Sequence, residues 1–214
     1  MIVALELSLD GPANMARDEA LLHSSKLAAR VYTWDGIWVS LGRFQKPGRA
    51  LLNPGETRWV MRPTGGKAVL HGHDVTIGLA APLELLNLDS RSVGAAYRRI
   101  IEPIISAMRE SGADVDLAER TSFVRSAGHT ADCFAHIAPN DVVNVRTGQK
   151  VCGCALKLTA DAVLVQASLP AGPPLVDPLE LFNHPHSPAW SSGLEPQTLR
   201  DSLEIALSGL GSFE

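Results

Sequence analysis

The sequence has no strong excess of charge of either sign. Lysine and arginine together number 19 and aspartate and glutamate 23 in 214 residues, which gives a formal net charge of −4. A general nucleic-acid binder carries a pronounced basic excess, and a disordered chain has a lower apolar content than the 45% found here. The composition argues against both classes. It predicts one globular domain over residues 1–214 with no nucleic-acid partner.

Long apolar runs, a basic leader and cysteines are also scarce. No stretch approaches the ~20 consecutive apolar residues of a membrane helix, and the N-terminal Met-Ile-Val-Ala-Leu-Glu-Leu lacks the basic start of a signal peptide. The three cysteines, Cys133, Cys152 and Cys154, are odd in number and too sparse for a disulfide scaffold. We therefore expect reduced thiols, a cytoplasmic location and no membrane partner.

The first half of the chain shows mostly strand patterns around one amphipathic helix. This helix is predicted from an Asn14 cap to about Ala29. Alternating residues on both sides of Asp35-Gly36 predict a β-hairpin. Further strands are predicted at the N-terminus and at 58–62, 68–71 and 75–82.

The second half contributes the remaining helices and strands. Apolar residues at helical spacing predict a helix over 92–111, with Gly112 as its stop. Strands are predicted at 141–145, 150–158 and 162–169, then a surface segment at 171–196 and a last helix at 196–208. Many strands, few helices and no strict βαβ alternation predict an α+β fold, with a mixed, largely antiparallel sheet packed with helices.

The first candidate site is the segment Arg62-Pro-Thr-Gly-Gly-Lys-Ala-Val-Leu-His71. Its paired glycines, Gly65 and Gly66, interrupt a strand, so the backbone can approach a ligand and point amide groups at it. Between residues 41 and 70 there are six basic residues and one acid, a local excess of 6 − 1 = +5. This excess suggests an anionic ligand or an acidic partner; the alternative is a glycine hairpin with a solvated basic face.

Cys133 is the second candidate, a loop cysteine with His129 and His136 nearby in sequence. A thiolate is a strong nucleophile, and neighbouring positive charge lowers the pKa of a thiol. The alternative is that Cys133 is a small buried apolar residue.

Lys150, at the start of an apolar strand, is the third candidate. It could carry its ammonium inward to a carbonyl or phosphate group, or it could be a solvated strand end. Cys152 and Cys154 follow on one strand face. Their C-x-C spacing, even with His71 and His73, does not fit a structural zinc site, so no metal site is predicted.

Together these segments resemble the lipoate–protein ligase A and octanoyltransferase family, which shares the catalytic fold of biotin and lipoate ligases. The resemblance rests on Asn14–Leu22, on Arg30–Gln45, on the glycine segment, and on Asn140-Asp141 followed by Gly148-Gln-Lys-Val-Cys-Gly-Cys-Ala155. These four segments occur in the family's order between about residues 5 and 170.

The resemblance implies a tunnel for an acyl chain and assigns roles to individual residues. Cys133 and Lys150 would be catalytic, with Lys150 at the carbonyl or phosphate end of the substrate. The acyl- or nucleotide-binding residues would be Arg62, Thr64, Gly65, Gly66, His71, Asn140, Asp141, Gly153 and Ala155.

The resemblance also implies the reaction, in one of two forms. A transferase passes octanoate from acyl carrier protein through a cysteine thioester to a lysine of a lipoyl-carrier domain, without a cofactor. A ligase activates lipoate with ATP and magnesium as an adenylate. The Cys133-Phe134 pair and the end of the chain at Glu214, without an accessory domain, favour the transferase.

The sequence also departs from the family pattern. Met61 replaces an arginine, Cys154 replaces a serine, and Gln166 stands where many relatives have histidine. The departures at Met61 and Gln166 motivate a third hypothesis, a non-catalytic acyl- or carrier-binding homologue.

Overall fold

The computed structural model describes residues 1–24, 26–86, 88, 93–124, 129–183 and 193–209. Within these ranges the helices are α1 (Gly11–His23), α2 (Pro47–Ala50), α3 (Val93–Glu110) and α4 (Pro196–Ser208). The strands of the first half are β1 (Ile2–Leu5), β2 (Ala28–Tyr32), β3 (Trp38–Leu41), β4 (Trp59–Met61), β5 (Val69–His71) and β6 (Asp74–Pro82). The later strands are β7 (Val115–Leu117), β8 (Val142–Asn144), β9 (Lys150–Leu158) and β10 (Ala162–Pro170).

The strands form two sheets. The larger has seven strands in the order β1-β2-β6-β10-β9-β8-β7, and the smaller has the order β4-β3-β5. Only β1–β2 and β3–β4 pair in parallel, and all other pairs of named strands in the described ranges are antiparallel. The predicted α+β fold with a mixed, largely antiparallel sheet is therefore confirmed.

The central strands β6 and β10 have a different environment on each face. Val75, Ile77 and Leu79 of β6 belong to the main core, which also contains the apolar residues of α3 and α4. Ala80 of β6 and Leu164 of β10 pack with Leu22 of α1 on the opposite face. Both strands are thus covered on both faces, which explains why they are apolar along most of their length.

Helix α3 forms because its apolar residues recur every three or four positions. Ile100, Ile101, Ile104 and Ile105 lie on one stripe and are buried against the sheet, and Pro103 is accommodated within the helix. The helix ends at Gly112, whose φ of +92° suits glycine and whose N–H bonds Arg109 O. The predicted helix and its stop are confirmed, although residue 92 lies outside the described ranges.

Helix α1 begins and ends earlier than predicted. Asp10, not Asn14, caps it, because an Asp10 carboxylate oxygen accepts a hydrogen bond from Ala13 N at 2.8 Å. Asn14 is instead buried and donates to Leu9 O. The predicted helical continuation to Ala29 is wrong because β2 begins at Ala28 and pairs with β1 and β6.

The predicted hairpin around Asp35-Gly36 is also wrong. The turn exists, with Gly36 at φ +74°, but β2 belongs to the seven-stranded sheet and β3 to the three-stranded sheet. The chain therefore changes sheets at this turn. It changes sheets again at Gly72, where β5 and β6 join different sheets.

The other predicted strands and the last helix are confirmed with shifts of a few residues at their ends. Part of the predicted surface segment, residues 184–192, lies outside the described ranges. No helix in the described ranges is long and apolar enough to cross a membrane.

Candidate active site

A cavity of about 400 Å³ lies between the two sheets. Its walls come from α1 through Met15, from the three-stranded sheet through Ser40, Val69 and His71, and from the seven-stranded sheet. Six residues predicted for the site contribute to the lining: Arg62, Gly66, His71, Cys133, Gly153 and Ala155.

Cys133 lines this cavity and meets Lys150, which lies 17 residues further along the chain and just outside the cavity lining. The Lys150 ammonium donates to Cys133 Sγ at 3.3 Å, to Cys133 O at 3.1 Å and to His136 O at 3.3 Å. Asp141 completes the cluster with a carboxylate oxygen 2.7 Å from Lys150 Nζ. Lys150 is only 3% exposed, so it is an inward-pointing cation and not a solvated strand end.

Burial and charge act in opposite directions on the thiol and the ammonium. Burial raises the pKa of Cys133 above its ordinary value, although the positive charges of Lys150 and Arg62 act to lower it. Burial alone would lower the pKa of Lys150, but Cys133 and Asp141 outweigh that cost and hold it well above its ordinary value. Positive charge does act to lower the thiol pKa, as expected, but burial outweighs it and the net shift is upward.

The absence of a side chain at Gly153 leaves room for the Cys133 thiol. A Cβ at this position would lie 3.3 Å from Cys133 Sγ and 3.4 Å from Lys150 Cε. The contact with Cys133 Sγ is tighter than most contacts that real Cβ atoms make, and the contact with Lys150 Cε is close to ordinary van der Waals distance. A side chain at Gly153 would therefore press against the Cys133 thiol and touch the Lys150 side chain.

Arg62 is fully engaged in holding the glycine segment. Its five N–H hydrogens meet Ser40 O, Ser40 Oγ, Thr64 Oγ1, Gly65 O and Lys67 O, at 2.6–3.2 Å. Burial lowers the pKa of its guanidinium to about 10, which leaves it charged at neutral pH. Arg62 thus shapes the cavity wall and has no hydrogen left over for an anionic ligand.

The glycine segment itself lies against the start of the preceding loop. Gly66 has φ +89°, and a Cβ on Gly42 would lie 2.1 Å from Gly66 O. Glycine is required at both positions, since one has a left-handed backbone and the other leaves no room for a side chain.

His71 is held by a dense hydrogen-bond network on another wall. Its ring nitrogens lie 2.8 Å from Ser40 Oγ and 2.8 Å from a carboxylate oxygen of Asp74, and its ring stacks on Trp34 with centroids 3.9 Å apart. Thr76 and Ser168 donate to the same Asp74 oxygen. Burial opposes the charge of Asp74, but His71, His73 and the Ser168 hydroxyl outweigh it and lower the pKa of Asp74 to about 2.

The remaining predicted site residues lie outside the cavity lining. Thr64 is buried and donates to Gln166, which lines the cavity. Gly65 lies near Phe44, and Asp141 acts through Lys150. Asn140 precedes β8, and within the described part of the chain its side chain makes no hydrogen bond.

Sequence reasoning missed several lining residues, among them Met15, Trp34, Ser40, Thr76 and Ser168. One signal was available, because Gln166 and Ser168 are polar residues two apart in the otherwise apolar strand β10. The C-x-C cysteines do share a face, with sulfurs 3.5 Å apart. In the described ranges, no three His, Cys, Asp or Glu side chains come together in a group that could hold a metal ion.

The fold of this chain is similar to those of lipoate–protein ligases of known structure. Protein Ta0514 of T. acidophilum, solved with bound lipoic acid, matches with a TM-score of 0.75 over 97% of this chain and 84% of its own, at 16% identity. A lipoate-protein ligase A solved with ATP matches with a TM-score of 0.73 over 98% and 85%, at 19% identity. The fold is therefore that of a lipoate–protein ligase.

The sequence comparison gives the family. The model for the lipoyl protein ligase A/B catalytic domain matches residues 10–195. Proteins named octanoyltransferase LipM from Clostridioides difficile and Halalkalibacterium halodurans are 31% and 32% identical over 74% and 82% of this chain. The chain spans 60% and 67% of their lengths. It belongs to the lipoyl protein ligase A/B catalytic domain family, which confirms the resemblance described above.

Proposed function

We propose that the protein transfers an octanoyl group from the thioester of an acyl carrier protein, through Cys133, to a lysine of a lipoyl-carrier domain. The observation that carries this proposal is the position of the Cys133 thiol, on the wall of the cavity and 3.3 Å from the Lys150 ammonium. The names of the relatives support octanoyl as the group transferred.

In the first step, Cys133 becomes acylated. Its thiol loses a proton and the sulfur attacks the thioester carbonyl carbon, so that a new C–S bond forms as the carrier's C–S bond breaks. The proton ends on the departing carrier thiol. The Lys150 ammonium stabilises the sulfur anion of Cys133 during the attack, while Asp141 and the carbonyl oxygens keep the ammonium in place.

In the second step, the neutral amine of the target lysine attacks the octanoyl carbonyl on Cys133. The amide bond forms, the C–S bond breaks, and the amine proton restores the thiol. Lys150 again stabilises the departing sulfur. The thioester supplies the free energy for amide formation, so we propose that the reaction uses neither ATP nor magnesium.

Intact-mass spectrometry tests the thioester step. After mixing with octanoyl-carrier protein, we expect one octanoyl group on the protein and none on Cys133→Ala. Cys152→Ala is the matched control, since this thiol is buried away from the cavity lining and its loss should leave the adduct intact.

The same variants distinguish transfer from ligation. A lipoate-dependent exchange of pyrophosphate into ATP that persists in Cys133→Ala, without any octanoyl adduct on the unmodified protein, would overturn the transferase proposal in favour of an adenylate-forming ligase.

A further inference from the structure

A second concave surface lies beside the active site on the outside of the protein. It holds about 560 Å³ of empty space, part of it open solvent, and is lined by Phe44, Lys46, Arg49, His129 and Ala131, among others. We call this surface the basic groove. Arg43, which neighbours Phe44, adds a further exposed cation at its edge.

The cations of the basic groove are not used by the fold. In the described part of the chain, the side chains of Arg43, Lys46 and Arg49 form no ion pair with a carboxylate. Two other basic residues of the same segment are engaged internally: Arg58 bonds Asp35 O, and Arg62 holds the glycine segment. The local excess of positive charge is therefore presented to solvent mainly at the groove.

Phe44 makes the basic groove more than a solvated charged face. Its side chain is 75% exposed, and the Arg43 guanidinium lies 4.4 Å from the centre of its ring. An exposed aromatic ring beside an arginine is typical of protein interfaces, in which both residue types are enriched.

The basic groove adjoins the nucleophile. Ala131 in its wall precedes Cys133 by two residues, so their Cα atoms are at most about 7.6 Å apart. Ala68 fixes both, because its N–H bonds Ala131 O and its carbonyl accepts from Cys133 N, each at 2.8 Å. A molecule seated in the groove is therefore within a short reach of the cavity that Cys133 lines.

We propose that the basic groove is the docking surface for the acyl donor, a carrier protein with an acidic surface whose thioester arm is attached through a phosphate. This inference rests on the proposed transfer function. Charge favours the donor over the acceptor, because the acceptor must deliver a lysine whose ammonium the groove repels. The donor brings an anionic phosphate and a neutral thioester.

The test reverses two charges of the basic groove and compares three acyl donors. In Arg43→Glu/Arg49→Glu, the KM for octanoyl-carrier protein should rise about tenfold or more, with kcat unchanged and the dependence on salt largely lost. Acylation by octanoyl-pantetheine, which has neither phosphate nor protein, should be unchanged. Lys26→Glu/Arg98→Glu makes the same change in net charge at other exposed sites and should behave as the unmodified protein.

Three outcomes would overturn the docking surface. An unchanged KM for octanoyl-carrier protein would show that the carrier docks elsewhere. An equal rise in the KM for octanoyl-pantetheine would place the two arginines in the active site. An equal rise in the KM for octanoyl-4′-phosphopantetheine would show that the groove binds the phosphate-linked thioester arm and not the carrier protein.

Failure of the transfer function would be distinguishable from failure of the groove. If octanoyl-pantetheine does not acylate Cys133 in the unmodified protein, the proposed function fails. Binding of octanoyl-carrier protein, followed by calorimetry, would still decide whether the groove docks an acidic carrier. Weaker binding of the carrier protein to Arg43→Glu/Arg49→Glu, but not to the control variant, would support docking at the basic groove.

Discussion

At the scale of single residues, the site depends on buried charges whose partners are all within the protein. Lys150 has four acceptors within 3.3 Å, and Arg62 has one for each of its hydrogens. Buried ions need such partners because desolvation is costly. The consequence is that Arg62 supports the cavity wall, while Lys150 is the cation in direct contact with the thiol.

We expect the reactivity of Cys133 to respond to its two charged neighbours in opposite directions. Alkylation should rise with pH as the thiolate forms, with a midpoint above that of an ordinary cysteine, because burial raises the pKa of the thiol. Asp141→Asn removes an anion that raises this pKa, so the midpoint should fall; Lys150→Met removes a cation that lowers it, so the midpoint should rise. Mass spectrometry of iodoacetamide-treated protein from about pH 6 to 11 measures both midpoints.

The alkylation experiment is best done in a Cys152→Ala/Cys154→Ala background, so that only Cys133 reacts. The Asp141 carboxylate also accepts from Ala138 N, a bond that asparagine can keep through its carbonyl oxygen. If the two variants shift the midpoint in the same direction, a change in structure and not in charge determines the pKa of the Cys133 thiol.

At the scale of elements, a buried polar chain connects α1 to the glycine segment. Asp18 of α1 pairs with Arg30 of β2 at 2.7 Å and accepts from Gln166 of β10 at 2.6 Å. Gln166 in turn accepts from Thr64 at 2.7 Å, and Thr64 contacts Arg62. The helix, the large sheet and the glycine segment are thereby held in one arrangement around the cavity.

Gln166→Leu should break this chain. Leucine fills a similar volume but leaves Thr64 and the buried Asp18 each without one hydrogen-bond partner, so we expect a loss of about 1–3 kcal/mol in the free energy of unfolding. Urea denaturation measures the loss. The exposed Gln197→Leu, on α4, is the control and should change stability by no more than about 0.5 kcal/mol. Equal stability of the two variants would show that the polar chain contributes nothing to folding.

Most elements could be predicted from periodicity, but the assignment of strands to sheets could not. The pattern of α3 predicted both its apolar stripe and its end at Gly112. The turn at Asp35-Gly36 was also predicted, yet its flanking strands pair with other partners. A turn signal describes four residues, whereas strand pairing is decided by which apolar surfaces can be buried together.

At the scale of the whole molecule, the buried Asp74 carboxylate makes stability depend on pH in acid. Asp74 has a pKa of about 2 in the folded protein against 3.8 ordinarily, so it stabilises the fold above about pH 4. As the pH falls towards 2, the unfolded chain binds a proton first and this stabilisation is lost. The shift corresponds to about 2 kcal/mol.

Asp74→Asn should therefore lower the free energy of unfolding above about pH 4 and make its decline between pH 4 and 2 shallower. Denaturant midpoints measured across this range test the expectation. The exposed Asp201→Asn should retain the slope of the unmodified protein. A slope for Asp74→Asn that matches the unmodified protein would show that this carboxylate does not govern acid stability.

Local patterns in the chain were enough to predict the fold class, most helices and strands, the family and the segments that carry Cys133 and Lys150. These features follow from residue periodicity and from motifs a few residues long. Tertiary contacts decided the separation of β2 from β3, the inward placement of Lys150 and the direction of the Cys133 pKa shift. Each of these depends on burial and on partners distant in the chain, such as Asp141 for Lys150, and so on how the two sheets enclose the cavity.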